Sequence, residues 1–261
     1  MTEAPAALAP GATVEVATWR PVEVAQVGGW RAGFSGGFTR RANSVVPLIA
    51  PPDVGGALDQ VEAWYAARGA PARFRVGAEA QPADLDRRLE QRGYRVAATT
   101  RVLTRPVDEW VLDDLRNHGP ADGGQHDGGH GAFTVGDVPD DDWLAGWLDV
   151  KATGPVDRDA ARAVVAGSPA SYLTARDDAG VTGVIRVAHA GPWAGLSCLM
   201  VARRARRRGL ARALTIEGLR VAVERGADRA FLQVEAANDP AIELYERLGF
   251  ALADTYHYRE R

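Results

Sequence analysis

Leu199-Met200-Val201-Ala202-Arg203-Arg204-Ala205-Arg206-Arg207-Arg208-Gly209-Leu210-Ala211-Arg212-Ala213-Leu214 is the stretch that decides the fold. An apolar strand over Leu196–Val201 runs into a turn crowded with arginine. Gly209 then opens a long helix over Gly209–Arg225, which Gly226 closes. A helix N-terminus presents unsatisfied N–H groups and a partial positive charge, so it suits phosphate. Glycine at 209 lets backbone approach a pyrophosphate closely, and arginine forks add charge-assisted bonds to its oxygens. The same residues also read as a solvated basic turn or a nucleic-acid patch. No Gly-Lys-Ser/Thr follows, so this is not a Walker A loop.

The next informative stretch runs from Leu232 to Phe250. A strand over Arg229–Glu235 ends at Glu235, and a helix over Pro240–Leu248 stops at Gly249. Asn238 or Asp239 caps that helix, and Pro240 sits in its first turn, where no N–H is needed. Asn238 and Tyr245 are seven residues apart, which leaves them about 20° apart around a helix axis. Both therefore look into one groove. Tyr245 has a plainer reading as a core aromatic with its hydroxyl at the surface. Glu235 has one as an exposed strand-end acid.

Upstream, strands are expected at Gly29–Phe34, Asn43–Ile49, Ala72–Val76 and Tyr94–Thr104, with helices at Gly56–Arg68 and Ala83–Gln91. Helices at Asp142–Lys151 and Asp157–Ala166 and strands at Ser171–Arg176, Val181–Ala188 and Thr255–Tyr258 complete the second half. An offset of 156 residues lays Arg73–Tyr94 on Arg229–Phe250, each reading strand, helix, then glycine and an aromatic. The duplication carries no chemistry across: Asn238 falls on Pro82 and Tyr245 on Leu89, and Val46–Leu58 has no arginine. Between the halves, Asn117–Gly131 is rich in glycine and holds His118, His126 and His130. A metal site is conceivable there, but glycine at this density does not pre-organise ligands, and a linker is the reading adopted.

Composition narrows the function. The chain has 261 residues, with 31 Lys+Arg against 34 Asp+Glu and a formal charge of −3. That balance argues against a dedicated nucleic-acid binder. Cys198 is the only cysteine, which excludes an intrachain disulfide and a multi-cysteine metal site. It is read as a small core residue rather than an acetyl carrier. No metal is expected. No apolar run approaches the about 18 residues that span a bilayer, and no signal peptide is seen at Met1–Pro5, so a cytoplasmic protein is expected.

Taken together, the two segments resemble the GCN5-related N-acetyltransferase (GNAT) superfamily. The likeness lies in Arg206-Arg207-Arg208-Gly209-Leu210-Ala211 and in Asn238, Ala241, Leu244-Tyr245 and Gly249-Phe250. Gly28–Trp30 and Gly36–Val45 also look like an actinobacterial branch with an extra N-terminal half. The resemblance implies an α/β (α+β) tandem fold, a mixed sheet flanked by helices. Composition gives a flexible tail at 1–13 and a Gly/His-rich linker at 111–131, and the resemblance implies a degenerate GNAT-like domain at 14–110 and a catalytic domain at 132–261. It implies acetyl-coenzyme A as cofactor. Backbone groups of Leu199, Met200 and Val201 would meet the pantetheine arm, and amides of Arg206–Ala211, with Arg212, the pyrophosphate. Asn238 would touch the cofactor, and Tyr245 would act as general acid near its sulfur. Glu235 is the best-placed base. Acceptor-binding residues are expected among Trp30, Arg40, Arg41 and Asn43 from the first half and Asp141, Trp143 and Trp147 from the second. The acceptor is expected to be a small-molecule amine, with a protein amine or a non-catalytic acyl-CoA-binding module as alternatives. A homodimer is left open.

Overall fold

The strand–helix alternation of the sequence is realised around one mixed sheet. The computed structural model describes residues 8–108, 113, 133–151 and 157–261, and the side chains of Val150 and Lys151 are not described. In chain order the strands are β1 (Glu23–Val27), β2 (Trp30–Phe34), β3 (Val45–Pro47), β4 (Arg73–Val76), β5 (Arg95–Pro106), β6 (Thr134–Gly136), β7 (Ala170–Asp177), β8 (Gly180–Ala190), β9 (Trp193–Val201), β10 (Arg229–Glu235) and β11 (Ala251–Glu260). The helices are α1 (Gly11–Thr18), α2 (Val54–Ala66), α3 (Leu85–Gln91), α4 (Asp141–Lys151), α5 (Arg158–Ala166), α6 (Leu210–Glu224) and α7 (Asp239–Arg247). Among the described residues these strands form one sheet in the order β1-β2-β3-β4-β11-β5-β10-β9-β8-β7-β6.

Local chemistry sets the ends of the helices. Asp53 caps α2 by accepting from Gly56 N, and Asp157 caps α5 through Asp159 N and Ala160 N. Asp140 accepts from Trp143 N at 2.7 Å at the start of α4. Helix α6 lays Leu210, Leu214, Leu219 and Ala222 against Ile185, Val187, Leu196 and Leu232. Gly183 permits that approach: a Cβ there would sit 2.7 Å from Leu214 Cδ1 and 3.0 Å from Met200 O. A separate core under the first half gathers Trp30, Tyr65, Phe74, Leu85, Leu89 and Tyr94.

Two expectations need correction. The tail expected at 1–13 gives way to helix by Gly11, where α1 begins and leads to the buried Trp19. Strand β1, unexpected from sequence, pairs antiparallel with β2. The linker expected at 111–131, histidines included, lies outside the described residues apart from Asp113. No three or more metal-ligating side chains cluster among the described residues. None of their helices is long and apolar enough to cross a membrane.

The duplication is real in three dimensions, and the halves are interlocked. An offset of 156 places Arg73 on Arg229, Leu85 on Ala241, Gln91 on Arg247 and Arg95 on Ala251. The unit β4-α3-β5 thus maps onto β10-α7-β11. The closing strands are exchanged: β11 lies between β4 and β5, and β5 lies between β11 and β10. Thr100 pairs with Tyr256, its own counterpart at that offset, so a local two-fold axis runs between them. The side chain of Arg259 on β11 reaches Asp86 on α3 at 2.8 Å, and His257 reaches the same carboxylate at 2.7 Å.

Two predictions follow from the exchange. A fragment ending at residue 108 lacks β11 and is expected to be unfolded by circular dichroism. Mixing it with the fragment 133–261 should restore folded signal and one co-eluting particle. The second concerns acid. The Arg259 hydrogen bond, helped by His257, holds the Asp86 carboxyl at about 2 against its ordinary 3.8. Its stabilising effect is complete above about pH 4 and is lost as pH falls through about 2. The gap in melting temperature between wild type and Asp86→Asn should therefore be open at pH 6 and close between about pH 4 and pH 2.

Candidate active site

Strand β10 is parallel to β9 only over Arg229–Leu232, opposite Trp193–Leu196. Beyond Leu196 and Leu232 the two strands part. Strand β10 stays held along its whole length by β5, from Arg229↔Pro106 to Glu235↔Thr100. Strand β9 stays with β8, but its register slips by one residue between Ser197 and Met200. Cys198 takes φ +58 within that slip. A bulge of this kind bends its strand, and here it turns β9 away from β10. The result is a cleft of about 1170 Å³ in the sheet, with an open edge of β9 along one side.

At one end the cleft meets the arginine turn. A short 3₁₀ turn over Arg203–Ala205 precedes Arg206. Arg207 and Gly209 then both take positive φ, at 62° and 78°, and Gly209 is the left-handed N-cap of α6. Ala213 N is bonded to Gly209 O at 3.0 Å, so the N–H groups of the first turn point out of the helix end toward the cleft. Arg206, Arg207 and Arg212 line this end, which suits a diphosphate. Arg208 does not line the cleft, so its side chain is set apart from those of Arg206, Arg207 and Arg212, and only its backbone amide stays with the turn. The side chain of Leu210 is buried in the core, so only its backbone can face a ligand.

Leu199, Met200 and Val201 line the β9 side, and Asn238 and Tyr245 line the side formed by α7. The Asn238 carboxamide oxygen accepts from Ala241 N at 3.4 Å and caps α7, with Pro240 in the first turn. Tyr245 is half-buried, edge-on to Phe250 at 5.8 Å. Its hydroxyl has no hydrogen-bond partner among the described residues, and burial pushes it up to about 12. It therefore keeps its proton across the neutral range. Glu235 lies at the cleft edge in an ion pair with Arg40 of the first half, at 2.8 Å.

The other end is walled by both halves, and several expected acceptor residues are not there. Trp30 is fully buried in the first-half core, edge-on to Phe74, and donates from Nε1 to Gln81 O at 2.8 Å. Asn43 is buried and clamps its own loop, accepting from Ser35 N and Gly37 N and donating to Phe38 O and Thr39 O. Asp141 is exposed and paired with Arg162. Trp143 is buried against Tyr172, its Nε1 donating to Ile185 O. Trp30, Asn43 and Trp143 are spent on packing and local hydrogen bonds, and Asp141, though exposed, lies off the cleft lining. Arg40, Arg41 and Trp147 do reach the cleft, joined by Trp19, Gln233, Tyr256 and Tyr258, which sequence reasoning missed. Cys198 also lines it, half-buried, instead of sitting in the core.

A parted sheet with an arginine-rich helix cap at its mouth defines the class: this is a GNAT-type N-acetyltransferase, built as a tandem of GNAT-like halves. The chain belongs to the family described as "Probable histone acetyltransferase Rv0428c C-terminal", whose model matches residues 12–259. It is 24% identical over 248 residues to the uncharacterized N-acetyltransferase YobR of Bacillus subtilis, covering 93% of this chain and 94% of that one. It is 53% identical over 51 residues to a mycothiol acetyltransferase of Corynebacterium aurimucosum, 20% of this chain and only 17% of the relative's length. A GCN5-related N-acetyltransferase of Kribbella flavida shares the fold, with a TM-score of 0.64 at 18% identity over 97% of this chain and 96% of that one.

The geometry of the turn yields a test. Valine at 209 would have to take a positive φ that a β-branched residue resists. Gly209→Val is expected to weaken acetyl-CoA binding at least tenfold by calorimetry. Paired reversal at Arg206 and Arg207 should do the same, while reversal at Arg208 should have a much smaller effect.

Proposed function

We propose that the protein transfers an acetyl group from acetyl-CoA to a primary amine by direct attack in the cleft between β9 and β10. The observation that carries this reading is the conjunction of three things in one cleft: an open strand edge, a positively charged helix cap at one end and a protonated tyrosine within it. When bound, acetyl-CoA supplies an activated thioester. The open edge at Leu199–Val201 adds backbone hydrogen bonds to its amide-bearing arm, as an added strand would. Amides of the Arg206–Ala211 turn, with Arg212, hold the diphosphate. An N–H near Met200 or Val201 donates to the carbonyl oxygen as that oxygen gains negative charge. Tyr245 donates to the sulfur and gives up its proton as the thiolate leaves. An alkyl ammonium of ordinary pKa about 10.4 is not nucleophilic until it loses a proton. Glu235 is the carboxylate at hand to receive that proton, once Arg40 yields.

The wall contributed by the first half supports a small acceptor that fits inside the cleft. The family's description favours a second reading, a protein amine. Thiol release measured with small amines and with a histone tail peptide distinguishes the two. Turnover on the peptide alone would select the second.

Tyr245→Phe tests the acid. Turnover is expected to fall about 100-fold or more, with the acetyl-CoA dissociation constant within about twofold of wild type. Unchanged turnover would remove Tyr245 from the mechanism.

A further inference from the structure

Charge at the acceptor end of the cleft does not balance. Three arginines line it: Arg40, Arg41 and Arg73. Arg40 is paired with Glu235 at 2.8 Å. Arg73 donates from Nε to Glu260 at 2.6 Å and from Nη1 to the Asn43 carbonyl at 3.0 Å. Arg41 has no carboxylate partner among the described residues. Its partners are neutral: Nη1 donates to Gln233 Oε1 at 2.7 Å, and the guanidinium lies over the Trp19 ring, 4.1 Å from its centroid.

That arrangement is built. Arginine can only donate, so Gln233 must turn its oxygen toward Arg41. Its amide nitrogen then donates to Glu15, which is buried and paired with Arg75 at 2.9 Å. Gln233 is therefore locked as a neutral acceptor. It keeps the buried Glu15 from neutralising Arg41 and leaves the positive charge in place. Trp19 is fixed in turn, donating from Nε1 to Thr39 Oγ1 at 3.2 Å. Behind it the fully buried Arg186 donates to the carbonyl of Thr18 at 2.9 Å. The Asn43 clamp shapes the loop that carries Arg41. A guanidinium held by a ring, an amide and a clamped loop has its remaining donors pre-organised for a planar oxyanion.

We infer that Arg41 is an acceptor-binding residue and that the acceptor is a primary amine which also carries a carboxylate. A single guanidinium matches a single carboxylate in charge and fork geometry. The inference rests on the acetyl-transfer reading and adds the class of substrate. It disfavours a strongly basic peptide, which would bring like charge to Arg41.

The test uses product analogues, so it does not require turnover. N-acetylglycine, N-acetyl-β-alanine and N-acetyl-4-aminobutyrate, each beside its carboxamide, are titrated calorimetrically into the full chain loaded with coenzyme A. The series sweeps the spacing between amide and carboxylate. At least one acid is expected to bind tenfold or more tightly than its carboxamide. Arg41→Gln should bring that ratio close to one, and Arg41→Lys should keep part of it. The melting temperature and the acetyl-CoA dissociation constant serve as controls for folding and for the cofactor site. Equal binding of acids and carboxamides, binding of neither series, or a preference that survives in Arg41→Gln would overturn the inference and leave acetyl transfer standing. Failure of the wild type to bind acetyl-CoA would instead strike the transfer reading, and the inference would fall with it.

Discussion

The parting of β9 from β10 is the constraint on which the rest of the site depends. Two strands running side by side would normally extend their ladder, because an unpaired backbone group is costly when buried. Here each strand is held on its outer edge, β9 by β8 and β10 by β5, and the bulge at Cys198 bends β9 out of line. The inner edges are left facing a gap. The turn after Val201 then falls at the mouth of that gap, and the helix after Glu235 flanks it. The arginine cap and Tyr245 share one cleft for that reason, although nearly forty residues separate them in sequence.

The first half has a clear part in this arrangement even though it lacks an arginine turn of its own. Its loop over residues 35–43 delivers Arg40 and Arg41, and its first helix delivers Trp19. Strand β5 props β10 from behind. Glu15 and Arg75, both buried, would be hard to justify as a stability device, since a buried ion pair seldom outweighs its desolvation. Their value lies in orienting Gln233, and through it the acceptor end of the cleft.

The sequence made α6, α7 and the strands before them legible because glycine, proline and the caps act locally. It made the cofactor end of the site legible for the same reason, since that end is a loop and a helix N-terminus contiguous in the chain. Arg208 could not be told from its neighbours, because a run of three arginines does not say which one faces outward. Trp30 and Asn43 misled because a glycine-rich setting resembles a binding loop. In the structure Asn43 spends its carboxamide on four backbone groups of that very loop. Trp143 lies on the buried face of α4, and helical spacing alone does not separate it from Trp147, which does reach the cleft. Gln233, Tyr256 and Tyr258 were invisible, because their place follows from which strand lies beside which. No local signal announces that β5 and β11 change sides.

That exchange has a consequence for biosynthesis. Strand β5 leaves the ribosome early, carrying Val96, Val102 and Leu103, yet both of its neighbours in the sheet lie in the second half. It must wait for the stretch from Pro106 to Ala251 to be translated, on the order of ten seconds at ordinary elongation rates. Until β10 has been made at Glu235 it is an apolar segment without a ladder on either side, and one edge stays open until β11 follows. Nascent chains of this architecture should therefore lean on holding chaperones, and cells that translate it slowly should accumulate more aggregate.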